Sequence, residues 1–170
     1  MERDNFSSLN PFPENSSESF LLSTDKDLFI SWTEQVLDSN FLYVTKLEGG
    51  SWSNKKLITK GTDWFVNWAD FPSISYNNLS NSIFSFHLQK SSEETFSYDV
   101  NYHINSKETW KDMNKIHDDN TFSEHGFVSS IPYKDGFMVS WLDGRNTYGV
   151  GDHGHAKGAM TIRSAILDSN

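Results

Sequence analysis

The chain repeats a short apolar segment about every 55 residues, and this repeat limits its possible folds more than any other feature. The copies read LFISWTE at 28–34, IFSFHLQ at 83–89 and FMVSWLD at 137–143. A second landmark keeps nearly the same step, since Trp52 recurs as Trp110. The period therefore belongs to a whole structural unit, and a unit of this length built from short strands is typical of a β-propeller blade.

Short apolar runs between turn residues divide each repeat into strands. We predict strands at 19–23, 27–33, 41–48 and 55–59, at 71–76, 82–88, 96–104 and 112–116, and at 126–132, 136–142 and 158–167. The 27–33 run has apolar residues on both of its faces, which indicates a sheet that is covered on both sides. Face-to-face stacking of blades would provide that cover.

These strands predict an all-β fold of about two and a half blades, each a four-stranded antiparallel sheet. We expect an unstructured lead-in over 1–15, followed by an incomplete propeller over 16–170. Its blades would lie near 19–60, 71–117 and 126–170. Closed propellers have about four to eight blades. We therefore expect this chain to be part of a longer protein whose remaining blades are its partners.

The composition of the chain argues against several classes of partner and structure. The net charge of −9 argues against a nucleic-acid partner, because phosphate contacts need clustered Lys and Arg. Cysteine is absent, which excludes disulfides within these 170 residues. The chain has no apolar run long enough for a signal peptide or a membrane span. The location of the chain stays open, and for the full-length protein we expect a periplasmic or extracellular one.

One face of such a propeller should collect most of the unusual polar residues. Strand direction alternates within a blade, so the loop entering the first strand and the loop after the second strand open on the same face. The segments 63–70, 117–125 and 143–145 fall on that face. We therefore expect a functional site there.

Arg145 is the strongest single candidate on this face. The chain has three arginines, of which Arg3 lies in the lead-in and Arg163 lies inside a predicted strand. A planar guanidinium on the loop face could bind a carboxylate through two parallel hydrogen bonds. The alternative is a local ion pair with Asp143 or Asp152.

Two carboxylates occupy matching places before the first strand of a blade. Asp70 precedes the second predicted blade, and Glu124 precedes the third with His125 beside it. Carboxylates at strand entrances are plausible general acids or bases, and a neighbouring histidine could tune them. The alternative is that they cap backbone amides in turns.

Trp64, Trp68, His125 and Asp143 are candidate substrate-binding residues. The two indoles could stack on a sugar ring, or they could seal the junction between blades. The segment DHGH at 152–155 contains two histidines at metal-ligand spacing, but it has no third ligand at a recognisable distance. We therefore predict no metal and no cofactor.

The pattern resembles the sialidase-like propellers, also called BNR or Asp-box repeat propellers, and among them a bacterial exo-α-sialidase-like group. Their box reads Ser-x-Asp-x-Gly-x-x-Trp, and degenerate counterparts are SKETW at 106–110 and GSWS at 50–53. The wider likeness covers about 20–170 and is carried by 63–73, 124–129 and WLDGR at 141–145. It implies a six-bladed propeller of which this chain is the N-terminal part.

The resemblance also implies a chemistry. Sialidases use an arginine triad for the sialate carboxylate, a Tyr paired with a Glu as nucleophile, and an Asp as acid/base. By position, Arg145 matches a triad member, Asp70 the acid/base and Glu124 a supporting carboxylate. The nucleophilic Tyr is expected beyond Asn170, and so is at least part of the triad.

Three functions follow from these expectations. The first is a glycoside hydrolase that releases terminal sialic acid or a related sugar, with the isolated chain inactive. The second is a non-catalytic propeller that binds a glycan ligand. The third is a structural interaction module. Fold alone does not separate them.

Overall fold

The computed structural model describes residues 12–106, 109–111, 113–147 and 158–169. Within these ranges the chain is all-β and contains no helix. The strands are β1 (Ser16–Ser23), β2 (Leu28–Val36), β3 (Ser39–Glu48), β4 (Ser51–Trp52), β5 (Lys56–Gly61), β6 (Ile74–Asn77), β7 (Ser82–Lys90), β8 (Tyr98–Ser106), β9 (Thr109–Trp110), β10 (Asn114–Lys115), β11 (His125–Tyr133), β12 (Gly136–Asp143) and β13 (Thr161–Leu167).

The strands form three antiparallel sheets that follow one another along the chain. Sheet 1 has the order β1-β2-β3, with β5 and the short β4 both paired to β3. Sheet 2 repeats this plan as β6-β7-β8, with β10 and β9 paired to β8. Sheet 3 consists of β11-β12-β13. None of the three sheets closes into a barrel.

Tight turns set the registers of the hairpins. Gly49 and Gly50 join β3 to β4 with φ of 59° and 84°. Two consecutive positive φ values match the turn that follows the right-handed twist of paired strands, and glycine adopts them without strain. The turn between β11 and β12 is equally short, since Tyr133 pairs with Gly136. The β11–β12 hairpin confirms the strands predicted at 126–132 and 136–142, whereas β4 is not among the predicted strands.

Two apolar layers hold the sheets together. The layer shared by sheets 1 and 2 consists of Phe29, Leu42, Val44, Ile58, Trp64 and Ile74. The layer shared by sheets 2 and 3 is larger and contains Phe84, Phe86, Val100, Phe137, Val139 and Trp141, among others. Sheet 2 is therefore covered on both faces. This double cover explains why β7 is buried on both of its faces, including the polar Ser85 and His87.

Polar side chains reinforce the contact between sheets 2 and 3. The Ser75 hydroxyl donates to the carbonyl of Ser130 at 2.9 Å, across a sequence separation of 55. The buried Asn77 amide donates to the carbonyl of Gly136 at 2.6 Å. These bonds link β6 to the β11–β12 hairpin. They hold β6 beside β11 and the β11–β12 turn.

The all-β prediction is confirmed, and each predicted strand has a counterpart in the sheets. The sheets span 16–61, 74–115 and 125–167, whereas the propeller and its blade number stay predictions. Of the predicted lead-in, residues 1–11 lie outside the described residues. A membrane-crossing helix, which would need a long apolar run, is not found in the described part of the chain.

Candidate functional site

Polar residues of the second and third sheets meet where β8 and β11 begin and β12 ends. His125, the first residue of β11, pairs with Asp143, the last residue of β12. Tyr98, the first residue of β8, forms a parallel bridge with Glu124. We call this place the polar edge and define it as residues 98–99, 117–125 and 143–145. It contains two of the three segments that the sequence places on one face.

A tyrosine hydroxyl connects two of the predicted carboxylates. The Tyr98 hydroxyl lies 2.8 Å from Oε1 of Glu124 and 3.3 Å from Oδ2 of Asp70. The other oxygen of Asp70 accepts a hydrogen bond from the backbone N–H of Phe127 at 2.9 Å. We call Asp70, Tyr98 and Glu124 the tyrosine group. It joins the loop before β6 to the starts of β8 and β11.

Burial controls the ionisation of the tyrosine group. Asp70 is only 5% exposed. Burial raises its pKa to about 6, and the charge of Glu124 adds to the rise although bonds from Phe127 and Tyr98 oppose it. Burial and the hydrogen bond to Glu124 also raise the pKa of Tyr98. Asp70 can therefore hold a proton at mildly acidic pH, while Tyr98 stays neutral.

The tyrosine group is closely packed, and its Asp70 also lines a pocket. Phe65 stacks on the Tyr98 ring with centroids 4.1 Å apart. Gly126 has no space for a side chain, because a Cβ there would collide with Asp70 and Tyr98. Asp70 also lines a pocket of about 300 Å³ whose other walls are mostly apolar, formed by Phe20, Ala69, Phe71, Ser73, Phe127 and Val128.

Beside the tyrosine group, two buried histidines stack face to face. The imidazoles of His117 and His125 are 3.7 Å apart and nearly parallel, with an angle of 5° between their planes. Nδ1 of His117 lies 2.6 Å from Oδ1 of Asp119, and its Nε2 lies 3.2 Å from Oδ1 of Asp99. We call Asp99, His117, Asp119 and His125 the histidine cluster.

His125 has the same two carboxylates on its two sides. Its Nε2 lies 3.2 Å from Oδ1 of Asp119, and its Nδ1 lies 3.8 Å from Oδ1 of Asp99. Nδ1 also faces the carbonyls of Tyr98 and Ser123 at 3.3 and 3.2 Å. Burial and the adjacent His117 lower the pKa of His125. By position, Asp99, His117 and His125 could hold a metal ion, and so could Asp119, His125 and Asp143. The parallel stacking of the two rings leaves no position for one ion in the plane of both, and the aspartates of the second set already pair with Arg145.

The aspartates of the histidine cluster are ionised. Burial disfavours the charged form of Asp99, but hydrogen bonding and charge from His117 and Lys115 outweigh it and lower the pKa. The pKa of Asp119 is lowered more strongly, because Thr121 and His117 donate to its carboxylate against the effect of burial. The cluster thus contains two carboxylates around two stacked rings.

Arg145 is engaged by three aspartates at the polar edge. Its Nε and Nη2 donate to the two oxygens of Asp143 at 2.7 and 2.9 Å. Its Nη1 donates to the exposed Asp118 at 2.8 Å, and its Nη2 lies 3.2 Å from Asp119. The structure thus contains the ion pair with Asp143 that the sequence leaves open. The other proposed partner, Asp152, lies outside the described residues, as does all of 152–155.

The predicted site residues divide into three groups. Asp70 and Glu124 meet through Tyr98, while His125, Asp143 and Arg145 meet around the histidine cluster. Trp64 is buried and stacks on His87 with centroids 4.4 Å apart, so its indole fills a junction between sheets. Trp68 is 86% exposed.

Sequence reasoning missed Tyr98 and Asp99. Both lie at the start of β8, directly opposite Lys90 and Gln89 in the register. Because the loop after the second strand of a blade is expected on the face of the predicted site, the strand start that pairs with the end of β7 belongs to the same edge. That pairing could have found both residues.

Comparison with protein-family models, curated proteins and solved structures finds no match for this chain.

Proposed function

We propose that this chain is part of a sialidase-like propeller that hydrolyses glycans, releasing terminal sialic acid or a related sugar. The observation that carries the proposal is the Asp70 carboxyl, whose pKa is about 6 and which reaches the wall of an open pocket. A general acid works best when its pKa is near the working pH. Asp70 would protonate the leaving oxygen of the glycosidic bond.

A second pocket supports an anionic sugar as the ligand. It has a volume of about 390 Å³, and both Arg145 and Arg163 line it. Nη1 of Arg145 bonds Asp118, whose side chain is 86% exposed. A substrate carboxylate could replace Asp118 there without disturbing the buried pair with Asp143. The remaining blades would supply the rest of the arginine triad.

Tyr98 and Glu124 have the pairing that the resemblance implies for a nucleophile. Tyr98 is nevertheless 1% exposed, and its raised pKa opposes attack on a sugar carbon. In this proposal Tyr98 positions the two carboxyls. The attacking tyrosine is assigned to the blades beyond this chain.

Hydrolysis of a fluorogenic sialoside by the full-length protein that contains this chain tests the proposal. Asp70→Asn should lower kcat by about 10²- to 10⁴-fold, the usual contribution of general acid catalysis. Asp63→Asn is the matched control, because Asp63 is an exposed aspartate of the same loop, and it should leave kcat unchanged. Full turnover in Asp70→Asn, or no turnover of sialosides and related glycosides by the wild type, would refute the hydrolase.

The exposed indole of Trp68 favours a second candidate, a non-catalytic glycan-binding propeller. Aromatic faces next to polar groups are suited to stacking on sugar rings. This candidate predicts glycan binding without turnover, and loss of binding in Trp68→Ala. Leu79→Ala is the control, since Leu79 is also exposed, at 81%. If the protein neither binds nor hydrolyses glycans, the structural interaction module is the function that remains.

A further inference from the structure

We propose that Glu124 keeps Asp70 protonated by accepting the hydroxyl hydrogen of Tyr98, so that the tyrosine group holds one carboxyl proton in a continuous hydrogen-bond chain. Glu124 is then a positioning residue that acts through Asp70. The presence of this proton follows from the geometry of the three side chains. Its use in catalysis rests on the proposed function.

Tyr98 has two carboxyl neighbours but only one hydrogen to donate. Its oxygen lies 2.8 Å from Oε1 of Glu124 and 3.3 Å from Oδ2 of Asp70. A tyrosine hydroxyl donates one hydrogen and otherwise accepts. If both carboxyls were ionised, one of these two contacts would join two oxygens with no hydrogen between them. A single proton on one carboxyl supplies the missing hydrogen.

The proton belongs on Asp70 and not on Glu124. Hydrogen bonds from a hydroxyl to a carboxylate are short, and the contact of Tyr98 with Glu124 is the shorter of the two. Asp70 is buried, whereas Glu124 is half-buried, and burial disfavours the charged form of a carboxyl. The Asp70 carboxyl therefore donates to the Tyr98 oxygen, and Tyr98 donates to ionised Glu124.

The elements packed against Asp70 provide no positive charge to oppose this. From β11, the backbone N–H of Phe127 donates to Oδ1 of Asp70 at 2.9 Å. From β1, the apolar Phe20 lines the same pocket as Asp70. Tyr98 at the start of β8 and Glu124 before β11 are the titratable side chains that act on Asp70 among the described residues. The charge of Glu124 disfavours a second negative charge beside it.

Asp143 shows what a buried carboxyl does when a cation is present. Its side chain is fully buried, yet Arg145 donates to its two oxygens at 2.7 and 2.9 Å, and the Trp141 indole donates at 3.0 Å. These bonds outweigh burial and lower the pKa of Asp143. Asp70 is buried in a similar way, but its neighbour is a carboxylate. The pKa of Asp70 is raised as a result.

In the proposed hydrolase, this chain gives Asp70 a proton to donate and a partner for the charge that remains. The O–H bond of Asp70 breaks, its hydrogen binds the leaving oxygen, and the electron pair stays on Asp70. The Tyr98 hydroxyl can then turn its hydrogen from Glu124 to the new carboxylate without losing it. The water consumed in hydrolysis returns the proton to Asp70.

Side-chain ¹³C NMR of the full chain between pH 4 and 8 tests the role of Glu124, with Asp70→Asn identifying the Asp70 signal. Both carboxyls contact the Tyr98 oxygen, so their nearest oxygens are within about 6 Å of each other. Two charges at that distance move a pKa by about 0.5–2. Glu124→Gln should therefore lower the pKa of Asp70 by this amount. Glu124→Ala should lower it further, because Tyr98 is then free to donate to Asp70.

Glu94→Gln is the matched control, because Glu94 is an exposed glutamate of the loop before β8. It should leave the pKa of Asp70 at about 6. An Asp70 pKa that is unchanged or raised in Glu124→Gln would overturn the proposal.

The wild-type protein provides a second test that needs no folded variant of Glu124. Two carboxyls that share a proton titrate as a coupled pair. The carboxyl signal of Glu124 should therefore change near pH 6, together with that of Asp70. A Glu124 signal that does not respond to the ionisation of Asp70 would overturn the proposal.

Activity of the full-length protein separates this inference from the proposed function. A general acid acts in its protonated form, so kcat/KM should fall as the pH rises through the pKa of Asp70. In Glu124→Gln this fall should move to lower pH by the shift that NMR gives, which a loss of packing alone would not cause. Hydrolysis with an unmoved fall would overturn the inference. No hydrolysis, with the expected NMR shifts, would refute the hydrolase and support the shared proton.

Discussion

Replacement of Asp70 by asparagine should stabilise this protein at neutral pH. The asparagine side chain keeps an oxygen that accepts the N–H of Phe127, as Oδ1 of Asp70 does at 2.9 Å. Its new N–H₂ group can donate to the Tyr98 oxygen, which lies 3.3 Å from Oδ2 of Asp70. Tyr98 would then donate to Glu124 alone. The substitution therefore removes a buried charge and keeps both hydrogen-bond contacts of the Asp70 carboxylate.

The size of the effect follows from the ionisation of Asp70. Its pKa is about 6 in the folded protein, against an ordinary 3.8. Because the folded state binds this proton more tightly, the stabilisation is fully present below pH 3.8 and is lost as the pH rises through 6. A pKa change of one corresponds to about 1.4 kcal/mol, so ionised Asp70 destabilises the fold by about 3 kcal/mol.

Denaturant unfolding, followed by tryptophan fluorescence between pH 3.5 and 7.5, measures this prediction. The difference in unfolding free energy between Asp70→Asn and wild type should be near zero at pH 3.5 and about 3 kcal/mol at pH 7.5, in favour of the variant. Asp25→Asn, which changes an exposed aspartate, should show a small and constant difference. A variant less stable than wild type at pH 7.5 would mean that the ionised carboxylate stabilises the fold through its hydrogen bonds, and the reasoning would be wrong.

Three further substitutions test the packing and the ion pairs. Phe84→Ala, at a fully buried ring, should lower the unfolding free energy by about 3–5 kcal/mol in denaturant titrations. Arg145→Ala should lower it by about 3 kcal/mol because it leaves the buried Asp143 carboxylate without its bidentate partner, and an unchanged midpoint would contradict this. Gly126→Ala should lower the unfolding free energy by about 1–3 kcal/mol, and with it the Tm, because the new methyl group displaces Asp70. In an Asp70→Ala background, Gly126→Ala should lower the unfolding free energy by less.

The strand pattern is the part of the fold that could be predicted without coordinates. Apolar runs separated by turn residues are local signals, and they locate the main strands of all three sheets. The sequence also predicts cover on both faces of the 27–33 run, and β2 is buried on both faces over residues 29–34. These features depend on residues that are close together in the sequence, so the periodicity of apolar residues is enough to predict them.

The surroundings of the polar side chains could be predicted only in part. The sequence places Asp70, Glu124 and Arg145 on one face, and the ion pair of Arg145 with Asp143 is one of its two alternatives. It does not find Tyr98 between the carboxylates, because that contact joins residues 26 and 28 positions apart. It also treats Trp64 and Trp68 alike, although one is buried and the other exposed.

The sequence alone determined that this chain forms successive antiparallel sheets with a polar edge. Hydrophobic periodicity and turn residues depend only on residues that are neighbours in the sequence. The tertiary structure decided which charges meet at that edge. Two histidines eight residues apart became a stacked pair between Asp99 and Asp119, because the loop before β11 folds over the start of β8. A pKa or a hydrogen-bond network depends on distances of a few ångströms between separate strands, and only the packing of the sheets fixes those distances.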